Sequence, residues 1–262
     1  MIKQDLKTLE EKSIFVIREA KLKFNNVAAL WSMGKDSTTM LALTRKAFLG
    51  KIPFPVIHID NSIDFPETYK FRQDLAKKWK LDLIVADSEI RPDLIGSACC
   101  GKNKPDTLKK VMDQYGFDAL IVSIRRDEHG IRSKERYMSP RDKNFKWDYK
   151  NQPAELWDDY SSKLDAKGHV RVHPLLDWNE IDIWRYVKQE KVPTNPLYFS
   201  RNGYRYRSLG CTHCTVPLKS NAKNVDQIIN ELAVTKDEER SGRSMDKERE
   251  YVMQKLRSLG YM

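Results

Sequence analysis

A chain of 262 residues with 40% hydrophobic and 10% aromatic side chains holds enough apolar material for one large α/β domain, or a domain with an extension. No apolar run approaches the roughly 20 residues of a membrane span. The start, Met1-Ile2-Lys3-Gln4-Asp5, has no charged-then-apolar leader pattern, so a cytoplasmic protein without membrane contact is expected. The net charge of +10 favours anionic ligands such as nucleotide, sulfate, phosphate, RNA or an acidic partner, although the basic residues are spread along the chain.

Residues 5–24 predict an amphipathic helix, with Leu6, Leu9, Val16, Ile17, Ala20 and Phe24 at roughly helical spacing between charges. Residues 27–32 predict a first strand. A loop follows, then a helix to about Phe48, where Gly50 and Pro53 break the pattern. Phe54 to Asp60 reads as a second strand, and Pro66 to Lys80 as a helix with Pro66 in its first turn. Asp82 to Ala86 is a third strand, Lys104 to Tyr115 a helix, and Asp118 to Ser123 a fourth strand. From Ile124 to about Gly168 the chain turns polar and rich in Arg, Trp and Tyr, and a loop that long is usually functional. Arg171 to Leu175 reads as a short strand. Asp177-Trp178-Asn179-Glu180 is a capping-box pattern opening a helix from Ile181 to Lys191. Asn195 to Gly210 is irregular and basic, Asn224 to Ala233 is a further helix, and the tail from Lys236 is charged.

Continuous apolar strands alternating with helices imply a mostly parallel sheet covered by helices on both faces. We expect a nucleotide-binding α/β domain over 1–175, including the Arg-rich segment, and a helical and irregular C-terminal region, 176–262, packed on it. In such sheets ligands bind beyond the carboxyl ends of the strands. Ser32, Asp60, Asp87 and Arg125 all sit just past strand ends and are candidates to surround one site.

The stretch Ser32-Met33-Gly34-Lys35-Asp36-Ser37-Thr38 joins the first strand to a helix start. Such a junction offers backbone N–H groups and the positive end of a helix dipole to an anion. Gly34 lets the backbone approach a phosphate, Ser32, Ser37 and Thr38 supply hydroxyls, and Lys35 a point charge. The Gly-x4-Gly-Lys spacing of a Walker A loop is missing. The stretch instead resembles the PP-loop of the ATP pyrophosphatases, which cleave ATP between the α and β phosphates and transfer AMP.

Further residues narrow the resemblance. Arg125-Arg126-Asp127-Glu128, Arg132-x-Lys134-Glu135-Arg136, Glu155-Leu156-Trp157, Trp178-x-Glu180, Leu209-Gly210-Cys211 and Glu239-Arg240-x-Gly242-Arg243 look like the small, adenylylating subunit of sulfate adenylyltransferase. The similarity is collinear from about residue 5 to 245, and the reductases of adenylylsulfate and phosphoadenylylsulfate share the PP-loop domain. The resemblance implies an adenine nucleotide α-hydrolase fold and the reaction of ATP with sulfate to give adenylyl sulfate and pyrophosphate. It implies that Ser32, Gly34, Lys35, Asp36, Ser37 and Thr38 hold the pyrophosphate, with Asp36 helping to hold Mg²⁺ or capping the helix. Arg125, Arg126 and Arg136 would bind sulfate or α-phosphate oxygens through guanidinium forks, and Asp60 would meet the ribose. It also implies a separate GTPase partner, since this chain has no GTPase motif. One departure is the short basic loop from Phe199 to Ser208, where the family's small subunits are longer.

The four cysteines fall in two close pairs, Cys99-Cys100 and Cys211-x-x-Cys214, which in a cytosolic chain suits metal or redox chemistry better than a disulfide framework. The pairs match the pattern that holds a [4Fe–4S] cluster in adenylylsulfate reductases, and four thiolates also suit zinc. A reductase reading lacks its nucleophile, because no cysteine follows Cys214. A PP-loop enzyme that thiolates tRNA is a further alternative suited to the basic charge. The Arg125-to-Trp157 segment argues against it.

Overall fold

The computed structural model describes residues 5–88, 104–128, 132, 134–147, 152, 155, 168–235 and 239. Helix α1 (Leu6–Lys23) leads into strand β1 (Val27–Leu30), and α2 (Lys35–Ala47) follows the phosphate-type loop. Next come β2 (Val56–Asp60), α3 (Pro66–Trp79), β3 (Leu83–Asp87), α4 (Lys104–Tyr115) and β4 (Ala119–Ile121). The chain continues through β5 (Met138–Arg141), β6 (His169–Val172), α5 (Glu180–Glu190), a small ribbon of β7 (Tyr204–Arg205) and β8 (Leu218–Lys219), and α6 (Val225–Val234).

The six main strands lie in the order β3-β2-β1-β4-β6-β5, all parallel except β5, which runs antiparallel to β6 at the edge. Alternate residues of each strand feed opposite faces. Val27 and Ala29 of β1, with Ile121, Val170 and Val172, face a large core closed by α1, α2 and α5. Ala28, Ile57 and Leu120 face a smaller core closed by Leu108, Val111 and Met112 of α4. Each fully buried aliphatic side chain in these layers contributes about 1.5–3 kcal/mol. Trp178, Ile183, Trp184 and Val187 join the first core, so α5 packs within it although it lies beyond residue 175. Among the described residues no helix is long and apolar enough to cross a membrane.

Local chemistry explains the element ends. Pro66 sits at the first position of α3, where a missing N–H costs nothing. Helix α5 begins one residue before the sequence pattern suggests: Asn179 is its cap, and Asp182 accepts the Asn179 backbone N–H at 3.2 Å. Two features escaped the sequence reading, the edge strand β5 inside the Arg-rich segment and the β7–β8 ribbon inside the basic stretch.

The strand order reverses between β1 and β4. In open parallel sheets the crevice at such a switch point, outside the carboxyl ends, is where ligands bind. The loop before α2 leaves one side of this crevice and Arg125 leaves the other.

Candidate active site

A cavity of about 400 Å³ opens at the switch point. Ser32, Gly34, Lys35, Asp36 and Ser37 form one wall. Gly34 is the cap of α2, and its φ of −76° is open to any residue. The left-handed residue of the loop is Met33, with φ of 57°, and its side chain is buried. A non-glycine residue held there stores strain that the surrounding packing must offset. The loop is braced by hydroxyls: the Ser32 backbone N–H donates to Ser37 Oγ at 3.2 Å, and Ser37 Oγ donates to the Gly34 carbonyl at 3.2 Å. The Lys35 backbone N–H donates to Tyr198 Oη at 2.8 Å. Thr38 serves the core instead, its Oγ1 accepting from Trp31 Nε1 at 3.1 Å.

Lys35 is almost fully buried and lies among carboxylates. Its Nζ pairs with Glu239 and with Asp36 Oδ2 at 3.1 Å, and Glu180 Oε1 is 4.0 Å away. Burial works against the ammonium, but Glu239 and Glu180 outweigh it and hold the Lys35 pKa above its usual value. Arg125, also fully buried, pairs with Asp36, with Glu239 and with Asp127 Oδ1 at 2.9 Å. Burial opposes its charge too, and Glu239, followed by Asp127, Glu128 and Glu180, keeps it firmly protonated. Burial would raise the pKa of Glu239, but Lys35 and Arg125 pull it far below the carboxylate range. Glu180 goes the other way: burial first, then the charge of Glu239, pushes it up, although Arg207 holds it at 2.8 Å. The cluster therefore consists of two buried cations bridged by one buried carboxylate, with further acids around them.

The other expected residues divide. Asp60 stays out of the cavity lining; its carboxylate accepts from Arg72 at 2.7 Å, Tyr69 Oη at 2.9 Å and the Ser62 backbone N–H at 2.8 Å. Burial opposes its ionisation, but these donors hold its pKa below the usual value. Arg126 turns from the cavity to pair with Asp177, its guanidinium 5.9 Å from the Tyr137 ring. Arg136 also lies outside the lining; its backbone carbonyl meets His173 Nδ1 at 2.7 Å. Cys99 and Cys100 lie outside the described residues. Cys211 and Cys214 are buried in one turn, closed by the Cys214 N–H donating to the Cys211 carbonyl at 3.2 Å, and Cys214 reaches the cavity. That turn docks on the β2–α3 loop through the Thr212 N–H, which donates to the Ile63 carbonyl at 3.0 Å. Among the described residues no group of three or more metal-ligating side chains assembles.

Several cavity residues had no individual role in the sequence reading, among them Arg171, Tyr198, Arg132 and Glu239. Arg132 and Glu239 appeared only inside motifs. Tyr198 closes the stretch Asn195-Pro196-Leu197-Tyr198 before the short basic loop, and Arg171 carried no signal beyond being a charged residue in a strand.

With this geometry in hand, comparison with known proteins is specific. The family described as "Phosphoadenosine phosphosulfate reductase domain" matches residues 26–217. The protein named "Sulfate adenylyltransferase subunit 2" in Psychromonas ingrahamii is 40% identical over 293 aligned positions, covering 98% of this chain and 97% of that protein. Its namesake in Aeromonas hydrophila is 39% identical over 296 positions, with the same coverage of both. Among solved structures, the FMN adenylyltransferase of Candida glabrata in complex with ATP superposes with a TM-score of 0.62 at 17% identity, covering 90% of this chain and 74% of that one. The phosphoadenylyl-sulfate reductase of Candida auris in its phosphate complex gives 0.56 at 18% identity, covering 82% and 99%. These two structures share the fold described above.

Proposed function

This chain belongs to the sulfate adenylyltransferase subunit 2 family, and we propose the following division of labour for its cavity. A sulfate oxygen attacks the α-phosphorus of ATP, the bond to the bridging oxygen breaks, and adenylyl sulfate and pyrophosphate are formed. Sulfate is already an anion at neutral pH, so the chemistry asks for positioning and charge neutralisation rather than a general base. The observation that carries this reading is the bridge from Lys35 through Glu239 to Arg125 at the start of α2. It is a site built for an anion and filled by the protein's own carboxylate.

On this reading the first N–H groups of α2, with Lys35, Ser32 and Ser37, take the leaving pyrophosphate. Arg125 keeps Asp36 in place and, with Lys35, holds Glu239 where the ligand displaces it, and Asp60 fixes the loop before α3. Asp36 is an oxygen donor on the cavity wall and suits Mg²⁺, which would neutralise phosphate charge. The buried thiols of Cys211 and Cys214, in one turn beside the cavity, suit half of a four-thiolate site. Lys104, four positions after Cys100, lines the same cavity as Cys214. We assign the four cysteines to a [4Fe–4S] cluster, which would supply a structural or redox centre next to the substrates. "Subunit 2" in the relatives' names supports a partner subunit, which we take to be a GTPase. The setting is the cytoplasm.

The test is pyrophosphate release from ATP, measured with and without sulfate and with and without the partner subunit. Release that depends on sulfate is expected. Release indifferent to sulfate in both settings would end this reading.

A further inference from the structure

The buried arginines beside the phosphate loop are not the ones with hydrogen-bonding capacity to spare. Arg125 is spent on Asp36, Asp127 and Glu239. A second group of guanidinium ions lies across the cavity, around β5 and β6. Arg171 of β6 stands opposite Ser139 of β5 and beside Leu120 of β4, on the face that α4 covers. Arg141 of β5 lies on the same face and donates to Ser139 Oγ at 2.6 Å. Arg132 comes from the loop before β5.

Their counter-charges are unequal. Arg141 is paired with Glu135 at 2.7 Å, and Arg132 with Glu128. Among the described residues the Arg171 guanidinium makes no hydrogen bond or ion pair, and its Nε is buried without a partner. Among the described residues Glu135 and Glu128 thus form ion pairs with Arg141 and Arg132, and neither forms one with Arg171. Arg171 and Arg132 both line the cavity that holds Lys35 and Ser37, whereas Arg141 does not. Burial lowers the pKa of Arg171; the charge of Glu135 offsets part of this, and the charge of Arg132 lowers it again. A desolvated guanidinium with no carboxylate in hydrogen-bonding contact is costly to keep, and its planar fork matches a tetrahedral oxyanion.

We propose that Arg171, with Arg132 beside it, forms the acceptor subsite, holding sulfate across the cavity from the pyrophosphate loop. The assignment rests on the adenylyltransferase reading. It moves the sulfate contact away from Arg126 and Arg136, which the sequence had suggested.

The experiment is Arg171→Met in the full chain with its partner subunit, with KM for sulfate and for ATP read separately from pyrophosphate release. Sulfate KM is expected to rise about tenfold or more, as loss of a charged hydrogen bond implies. ATP KM should stay within about twofold, because the lost contact belongs to one substrate. The variant should melt no lower than the wild type, since an uncompensated buried charge has been removed. Arg132→Gln should raise sulfate KM in the same direction. An unchanged sulfate KM in Arg171→Met overturns the subsite, and so does a clearly lower melting temperature, which would mark Arg171 as structural. Wild-type protein without sulfate-dependent release would instead overturn the reaction itself, so the two failures are told apart.

Discussion

Replacing Glu239 with Gln keeps the shape of the side chain and removes one negative charge from between Lys35 and Arg125. Breaking a buried ion pair costs about 3–5 kcal/mol when nothing else compensates. Here Asp36 remains 3.1 Å and Glu180 4.0 Å from Lys35, and Asp127 remains 2.9 Å from Arg125. The expected loss is therefore smaller, about 2 kcal/mol, or roughly 4–8 °C in melting temperature for a chain of this size. Ligand binding should move the other way. In the wild type an incoming pyrophosphate must displace the Glu239 carboxylate, and in the variant it meets two cations short of a counter-ion. Titration calorimetry should show pyrophosphate binding about tenfold tighter, near 1.4 kcal/mol, with saturating pyrophosphate restoring most of the lost melting temperature. Equal or weaker pyrophosphate binding by the variant would refute the idea that Glu239 stands in the ligand's place.

Lys35→Ala should reduce pyrophosphate release to a background level while the far-ultraviolet circular dichroism stays that of the wild type; retained turnover would remove the loop from the mechanism. Anaerobically purified protein should be brown and contain iron and acid-labile sulfide, and Cys214→Ser should lose both; a colourless, iron-free wild type would dismiss the cluster. Burial pushes the His173 pKa down to about 3 and those of His58 and His169 down to about 4. An unfolded histidine takes its proton near pH 6.5, so below that value the unfolded state binds more protons and stability falls with pH. The full contribution is present above about pH 6.5, and His173 alone accounts for at most about 4–5 kcal/mol of the loss on descending to pH 3. Melting curves of His173→Asn between pH 4 and 7 should show a flatter acid limb than the wild type; identical limbs would assign the loss elsewhere.

The parts of the fold visible in the sequence are those where burial on both faces forces an unbroken apolar run. Val27 to Leu30 and Ala119 to Ile121 are such runs, and Val56 to Ile59 is broken only by the buried His58; these built the central strands. Strand β5, Met138-Ser139-Pro140-Arg141, was hidden because an edge strand with one partner tolerates proline and charge. The β7–β8 ribbon pairs only two residues on each side, too few for any periodicity. In the site, Lys35 and Arg125 were legible because a motif fixes their distance from a strand end. For Arg126, adjacency to Arg125 in the chain says nothing about direction: one guanidinium turns to Asp36 and the other to Asp177. Asp60 looked available, but the arginine that neutralises it lies twelve residues on, in α3. Glu239 could not be told from a solvated charge in an acidic and basic tail, since its burial depends on Lys35, 204 residues away.

That separation has a consequence for how the protein is made. A ribosome adding about 5–20 residues per second delivers Lys35 and the start of α2 roughly 10 to 40 seconds before Glu239. Through that interval the nascent sheet can assemble its apolar layers, but its most buried ammonium has only neighbouring acids to balance it. The Lys35–Glu239 pair forms only once the 204 positions between its members have been added, so the order of synthesis sets when this buried ammonium meets its main counter-ion.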